Sequence, residues 1–408
     1  MKYIKRQMES SILEAAKFYP VIMVCGQRQT GKSTMLRHIA PADMKYVSFD
    51  DAKARSLAKN DPALFFETYG IPLFIDEFQR EPGILMEIKR IVDEKLYLGE
   101  NVNGIFFLSG SQKFTMMKNV SESLAGRVAV FNLLPLTRNE MLGIEEGCFR
   151  PELELLKQKN PRKETLAEIY KYIFVGGLPK LAANQEINRD LYYSSYMNTY
   201  IERDISALEQ IGKLDEFRAF VTYMAANTAQ ELKYDAIAKV VGVSAPTIKE
   251  WVSILERSGI IYILRPYANS MSKRLVKTPK CYFIDTGLAA YLTSWPTPET
   301  LMNGNASGAF FETFVVTEIL KTYYNTAKEP NLYYYRDFEQ KEIDVLIVEG
   351  DRVYPIEIKK GKSPSNPDKN FSALNKFNLQ VMPGLVVCSA DELFPISREA
   401  WITPVSLV

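Results

Sequence analysis

GQRQTGKST, residues 26–34, lies between the apolar run VIMVC (21–25) and MLRHIA (35–40), whose spacing is helical. Gly26, four residues, then Gly31-Lys32-Ser33 satisfy the GxxxxGK[ST] pattern, and a strand before it with a helix after is the setting that pattern needs. Glycines let backbone N–H groups wrap phosphates, and a helix N-terminus adds a favourable dipole. The loop Gly26, Gln27, Arg28, Gln29, Thr30, Gly31, Lys32, Ser33 and Thr34 is therefore expected to cradle ATP. Lys32 should reach the outer phosphates, and Ser33 should offer its hydroxyl to Mg²⁺.

A chance match in a glycine turn would have no partner motif, whereas IPLFIDEFQR (71–80) is an apolar strand ending in Asp76-Glu77. An Asp at a strand's carboxyl end can hold Mg²⁺, and an adjacent Glu can polarise the attacking water. The pair therefore predicts hydrolysis rather than binding alone. A solvated loop acid is the plain alternative for Glu77. GIFFLSGS (104–111) ends in Ser109 and Ser111, and Ser109 is placed either to sense the γ-phosphate or to make an ordinary turn. With YVSF (46–49) and VAVFNLL (128–134) there are five short apolar runs separated by helix-length segments. That is the pattern of an α/β fold with a doubly wound parallel sheet and its ligand at the strands' carboxyl ends.

A chain of 408 residues is long enough for several cores. Its 50 Lys and Arg nearly cancel its 49 Asp and Glu, so affinity for nucleic acid must come from local basic patches. His38 is the single histidine, which excludes triads and His-ligated zinc chemistry elsewhere in the chain, and it reads as an ordinary packing residue. Metal chemistry then falls to carboxylates, which suit Mg²⁺ or Mn²⁺. Cys25, Cys148, Cys281 and Cys388 form no CxxC and read as buried thiols. The opening MKYIKRQMESSILEAAKFYP has no uninterrupted apolar stretch and no later run is long enough to span a bilayer. A cytoplasmic protein without membrane contact is expected.

Beyond Thr137 the helical periodicity breaks at Gly176-Gly177 and Pro179, then resumes in DLYYSSYMNTYIERDISALEQ (190–210). This reads as a helical lid or connector, with Tyr192, Tyr193, Tyr196 and Tyr200 as a core stripe and Arg203-Asp204 as a structural pair. YDAIAKVVGVSAPTIKEWVSILERSGI (234–260) carries helix-turn-helix punctuation: Gly242 stops one helix, Ser244 caps the next, and Pro246 falls in its first turn. Ile248, Val252 and Leu255 should face inward, leaving Thr247, Lys249 and Glu250 for base edges. A basic loop with Lys273, Arg274, Lys277 and Lys280 separates IIYIL (260–264) from KCYFI (280–284), as in a winged helix whose wing lies along DNA phosphates. Winged helices also serve as protein-binding modules and ATPase lids. Asp285 reads as a helix N-cap.

From Ser307 the order is helix, strand, strand, helix, strand. Asp344 lies on one strand, and Glu357 and Lys359 share a face of the next. Two carboxylates and a lysine converging in this way can hold a divalent cation and activate water against a phosphodiester, with Glu312 on the preceding helix completing the site. Alternating charges at the ends of solvated strands are the plain alternative.

The motifs GQRQTGKST, FIDEFQR, LSGSQ, SESLAGRV, VGGLP, YIERDI and YFIDTGLAAYL resemble predicted prokaryotic AAA+ ATPases with a C-terminal PD-(D/E)xK nuclease-like fold. The likeness covers nearly the whole chain, although Gln27 stands where that family commonly has proline. It implies a P-loop ATPase domain over 1–136, a helical connector over 137–210, a winged helix over 211–290 and a restriction-endonuclease-like α/β domain over 306–408. It further implies that Arg127 contacts the γ-phosphate, in cis or across the interface of a homo-oligomer. An arginine after a glycine serves equally as a surface anchor. Asp344, Glu357 and Lys359 match the nuclease signature, with Asp344 and Glu357 as ligands of a second Mg²⁺ or Mn²⁺. The resulting expectation is an ATPase coupled to a nuclease-like module acting on DNA. Its rival is a nucleotide-dependent protein-interaction switch without nuclease activity.

Overall fold

The computed structural model describes residues 3–110, 123–199, 213–268 and 278–408. They divide into two compact units: Met1–Gly147 with Arg257–Gly259 and Tyr324–Lys328, and Cys148–Glu256 with Ile260–Tyr323 and Glu329–Val408. Ser111, Tyr200, Arg203, Asp204, Lys273, Arg274 and Lys277 lie outside the described residues. No helix among the described residues is long and apolar enough to cross a membrane.

The first unit is built on β1 (Val21–Cys25), β2 (Lys45–Ser48), β3 (Leu73–Asp76), β4 (Phe106–Gly110) and β5 (Val128–Asn132). All run parallel, in the order β2-β3-β4-β1-β5. Alternate side chains enter different cores: Val21, Met23 and Cys25 pack with Phe65, Ile75 and Ile88, while Ile22 and Val24 pack with Met8, Leu36 and Phe107. Burial on both faces is why β1, β3 and β4 read as continuous apolar runs rather than alternating ones, while β2 keeps Lys45 and Tyr46 exposed. The register sets Asp76 beside both Ser48 and Ser109, and Cys25 beside Gly110, so the carboxyl ends of β1, β3 and β4 share one edge of the sheet.

In the second unit, β6 (Gln230–Glu231), β7 (Ile261–Leu264) and β8 (Lys280–Phe283) form an antiparallel sheet in the order β6-β8-β7. The helix Tyr234–Val241 ends at Gly242, whose φ of 81° is left-handed, and the helix Ala245–Arg257 follows. Ile248, Val252 and Leu255 are buried as their spacing predicts, while Lys249 and Glu250 are exposed and Thr247 is half-buried. Lys280 departs from expectation. It lies on β8 rather than on an exposed wing, it is buried, and it pairs with carboxylates.

Tyr192, Tyr193 and Tyr196 are core residues. The buried Asp285 does more than cap a helix. Its carboxylate accepts Leu288 N–H at 2.7 Å and Gly177 N–H at 2.7 Å, and Oδ1 lies 2.8 Å from the Tyr193 hydroxyl. Gly176, at φ 79°, is required here because a Cβ would collide with both Asp285 and Tyr193. Thus VGGLP and IDTGL, 108 residues apart at the Gly177–Asp285 bond, form one polar knot. Asp285→Ala orphans these donors and should cost about 2–3 kcal/mol. Urea denaturation checks this, and a cost below ~0.5 kcal/mol would show that water replaces the carboxylate.

The C-terminal sheet contains β9 (Leu332–Arg336), β10 (Glu342–Glu349), β11 (Arg352–Ile358), β12 (Gln380–Val381), β13 (Gly384–Cys388), β14 (Phe394–Pro395) and β15 (Ala400–Pro404). Its main order is β14-β15-β13-β11-β10-β9, with β12 beside β11. The hairpin β10–β11 is antiparallel and β11-β13-β15 is parallel, so the sheet is mixed. The second helix of the order expected from Ser307 falls on FSALNKFN (371–378), which is only a 3₁₀ turn, Phe371–Lys376, in which just Phe371 and Leu374 are buried. The long helix Ser307–Asn325 precedes the sheet.

Candidate functional sites

Gly26 leaves β1 at φ 144°, where a Cβ would strike the Leu133 carbonyl oxygen, so the loop can begin only with glycine. Gly31 at φ 90° caps the helix Lys32–Ile39. Thr30 Oγ1 donates to Gln27 O at 3.0 Å, and Lys32 Nζ donates to Gly26 O at 3.0 Å and Gln27 O at 2.8 Å. Burial lowers the Lys32 pKa to about 8, while the nearby Glu77 and Asp76 charges oppose that shift. Arg28 is half-buried, and Gln29 and Thr34 are exposed.

Asp76 is the hub of this site. Oδ1 accepts from Ser33 Oγ at 2.8 Å, from Glu77 N–H at 3.1 Å and from the Ser109 hydroxyl, and Oδ2 accepts from Tyr46 at 3.1 Å. Fully buried Ser109 therefore orients the aspartate. A hydroxyl and a carboxylate held together form an all-oxygen donor set of the kind Mg²⁺ prefers. Glu77 is half-buried and follows at φ 54°, with its Oε2 accepting from the Gln79 amide.

Arg127 is not brought to the loop. Its carbonyl accepts from Val21 N–H at the amino end of β1, the opposite end from Gly26, and its Nε is 2.6 Å from Asp93. The exposed His38 ring lies tilted against Tyr3, with centroids 4.0 Å apart. Motif reading missed Arg6, which is 3% exposed. It donates to Thr30 O at 2.9 Å, Leu134 O at 2.8 Å and Glu140 Oε1 at 3.0 Å, tying the phosphate loop to the segment after β5. The capping-box spacing Thr137 to Glu140 was a usable signal for Glu140; nothing local marks Arg6.

In the second unit the hairpin does gather Asp344, Glu357 and Lys359. Lys359 Nζ is 2.6 Å from Glu357 Oε1 and 4.0 Å from Asp344 Oδ2, and Asp344 Oδ2 accepts Ile358 N–H at 2.8 Å. Glu312 approaches from the helix Ser307–Asn325. Lys280, which sequence reasoning placed on the wing, enters from β8 and lies 3.0 Å from Glu312, 2.6 Å from Glu342 and 3.9 Å from Asp344. The Tyr282 hydroxyl donates to Glu312 Oε1 at 2.7 Å. Burial, then the neighbouring Asp344 charge, raises the pKa of Glu312 to about 7 and of Glu357 to about 8. Burial also raises Asp344. Lys280 is desolvated too, but Glu312, Asp344 and Glu342 outweigh that and hold its pKa above the usual lysine value.

Lys280 and Tyr282 take up Glu312 Oε1 and Lys280 also takes up Glu342 Oε1, so those two carboxylates as they stand do not fit a divalent cation. Asp344 Oδ1 lies 3.9 Å from Lys280, and Glu357 Oε2 is buried with no hydrogen-bond partner. Among the described residues no group of three or more His, Cys, Asp or Glu side chains is arranged to hold a metal ion.

Residues 19–142 match the family described as "AAA domain". Residues 166–299 and 307–408 match two families described as "Domain of unknown function" (DUF8612 and DUF4143). An uncharacterised Mycobacterium tuberculosis protein is 26% identical over 403 residues, covering 98% of this chain and 83% of its own. An uncharacterised Methanocaldococcus jannaschii protein is 24% identical over 298 residues, 65% of this chain and 60% of its own. Among solved structures, a Walker-type ATPase of Pyrococcus abyssi is similar at 15% identity and TM-score 0.41, over 71% of this chain and 96% of that one. AMPPCP-bound DnaA of Aquifex aeolicus is similar at 14% identity and TM-score 0.26, over 61% and 85%. The first unit thus carries an AAA-type P-loop domain, followed by a helical region and a mixed C-terminal sheet.

Proposed function

We propose that the chain is a Mg²⁺-dependent ATPase. The observation that carries this reading is the hydrogen-bonded set Ser33–Asp76–Ser109, closed over a buried loop lysine with Glu77 adjoining. Ser33 and Asp76 would hold the Mg²⁺, which supplies charge neutralisation across the phosphates. Lys32 supports the β/γ-phosphates, and Glu77 orients water and accepts its proton. The test is phosphate release from ATP with Mg²⁺ by the wild type and by Lys32→Ala. Lys32→Ala should lose nucleotide affinity; equal release by the two proteins would remove the assignment.

Nucleotide state would then bias the second unit, which we read as a winged helix joined to a restriction-endonuclease-like domain. DNA is the partner we assign to the winged helix, through Thr247, Lys249 and Glu250 and through Lys273, Arg274 and Lys277. Replacing those last three by Ala should weaken DNA binding uniformly across sequences. It should also flatten the slope of log K against log salt by roughly 0.9 for each phosphate no longer neutralised. An unchanged slope would turn the segment toward protein. For Arg127, paired with Asp93 at the far end of the sheet, a phosphate contact would have to come from a second copy of the chain. Downstream, the ion pairs of Lys280 with Glu312 and Glu342 favour the rival reading, a nucleotide-dependent protein-interaction switch without nuclease activity, over metal-dependent DNA cleavage at Asp344, Glu357 and Lys359.

A further inference from the structure

We infer that Lys280 is a built-in counter-cation, which takes the place of a divalent metal ion among Glu312, Glu342 and Asp344. Its ammonium lies 2.6 Å from Glu342 Oε1 and 3.0 Å from Glu312 Oε1, with Asp344 Oδ1 at 3.9 Å. Oxygen ligands of Mg²⁺ or Mn²⁺ stand roughly 2.0–2.2 Å from the ion, so a metal serving these carboxylates would overlap the ammonium or repel it at contact distance. The lysine cannot swing clear at low cost. It is 4% exposed, and its backbone is paired with Leu264 on β7 and Glu231 on β6.

Several other oxygens of the cluster are engaged, although Glu357 Oε2 is buried with no hydrogen-bond partner. Glu312 Oε1 takes a second donor from Tyr282 OH, Asp344 Oδ2 takes Ile358 N–H, and Glu357 Oε1 takes Lys359. Arg336, 3.0 Å from Glu231, approaches the other Glu342 oxygen at 3.7 Å. Access does not explain the exclusion. A cavity of about 420 Å³, lined by Lys280, Glu312, Glu342, Arg336, Asn227 and Gln230 among others, opens onto two of these carboxylates, Glu312 and Glu342. Ions from solution can reach that pair, and the lysine is what answers its charge.

The inference is independent of the ATPase reading and is tested without nucleotide. Mn²⁺ binding to the full chain, followed by the paramagnetic resonance of free Mn²⁺, should be the same for the wild type and Asp344→Asn. Lys280→Met should gain one Mn²⁺ site, tighter than any wild-type binding by roughly 100-fold or more, and lose it again when combined with Asp344→Asn. Its melting temperature should rise with Mn²⁺ while that of the wild type does not. Lys280→Arg, which keeps the charge, should gain no site. Wild-type Mn²⁺ binding that Asp344→Asn abolishes would overturn the inference, and this comparison decides the matter even if Lys280→Met fails to fold. A folded Lys280→Met that gains no site would overturn it as well.

Discussion

Glu77→Gln is expected to bind nucleotide as the wild type does and to lose roughly 10²- to 10⁴-fold in phosphate release. The substitution keeps the size of the side chain and its capacity to accept from the Gln79 amide, so the loop after β3 has no reason to rearrange. What it removes is the basicity needed to take a proton from water. The position is costly to build: a non-glycine residue at φ 54° carries roughly 1–2 kcal/mol of backbone strain, partly offset by the Glu77 N–H bond to Asp76 Oδ1. Such a conformation turns the residue sharply at the end of β3, beside the carboxylate that Ser33 and Ser109 hold. Nucleotide affinity and single-turnover release measured on the same preparation separate the two roles. Undiminished release by Glu77→Gln would pass the base to another group.

The centre of the five-stranded sheet is legible in the sequence because both of its faces are buried. β1, β3 and β4 are continuous apolar runs, and the residues that end β1 and β3, Gly26 and Asp76-Glu77, are conspicuous. The inward face of the helix Ala245–Arg257 is legible for the same reason, since Ile248, Val252 and Leu255 repeat at the helical period. FSALNKFN misleads because its apolar spacing mimics a helical turn, yet only two of its residues enter the core, too little burial to extend a 3₁₀ turn into a helix.

Partners distant in sequence are not legible. Lys280 looks like wing charge because no acid lies among the basic residues of its loop, yet its partners are 32, 62 and 64 residues away, on a helix and a strand that reach it across β8. Ser109 reads as a phosphate sensor or a turn residue, and only the β3–β4 register shows that it sits beside Asp76. Arg127, after Gly126, is near the phosphate loop in family likeness only. The parallel register places it where β5 begins, while the phosphate loop sits where β1 ends. Strand direction, which no local pattern carries, decides that difference.

Arg6→Ala should destabilise the first unit by about 3–5 kcal/mol, although Arg6 belongs to no motif. The guanidinium and the Glu140 carboxylate are both almost fully buried, at 3% and 0% side-chain exposure. Removing the cation leaves a desolvated anion together with the Thr30 and Leu134 carbonyls, each of which loses its charged donor. Glu140 is further committed: Oε1 accepts Gln7 N–H at 2.8 Å and Oε2 accepts Thr137 N–H at 2.9 Å, so it cannot turn toward water without uncapping the helix Arg138–Leu142. Because Arg6 holds Thr30 O, the cost should reach the nucleotide as well, with weaker ATP binding from a loop no longer held in shape. Arg6→Lys retains the charge but not the three-way fork, and should recover only part of the stability. Replacing both partners, Arg6→Met with Glu140→Met, should cost less than Arg6→Ala alone, since the unpaired buried charge is gone. Denaturant midpoints of the four proteins and their ATP affinities test this. A loss below ~1 kcal/mol in Arg6→Ala would mean that water enters to solvate Glu140, and that the pair orders the loop without stabilising it.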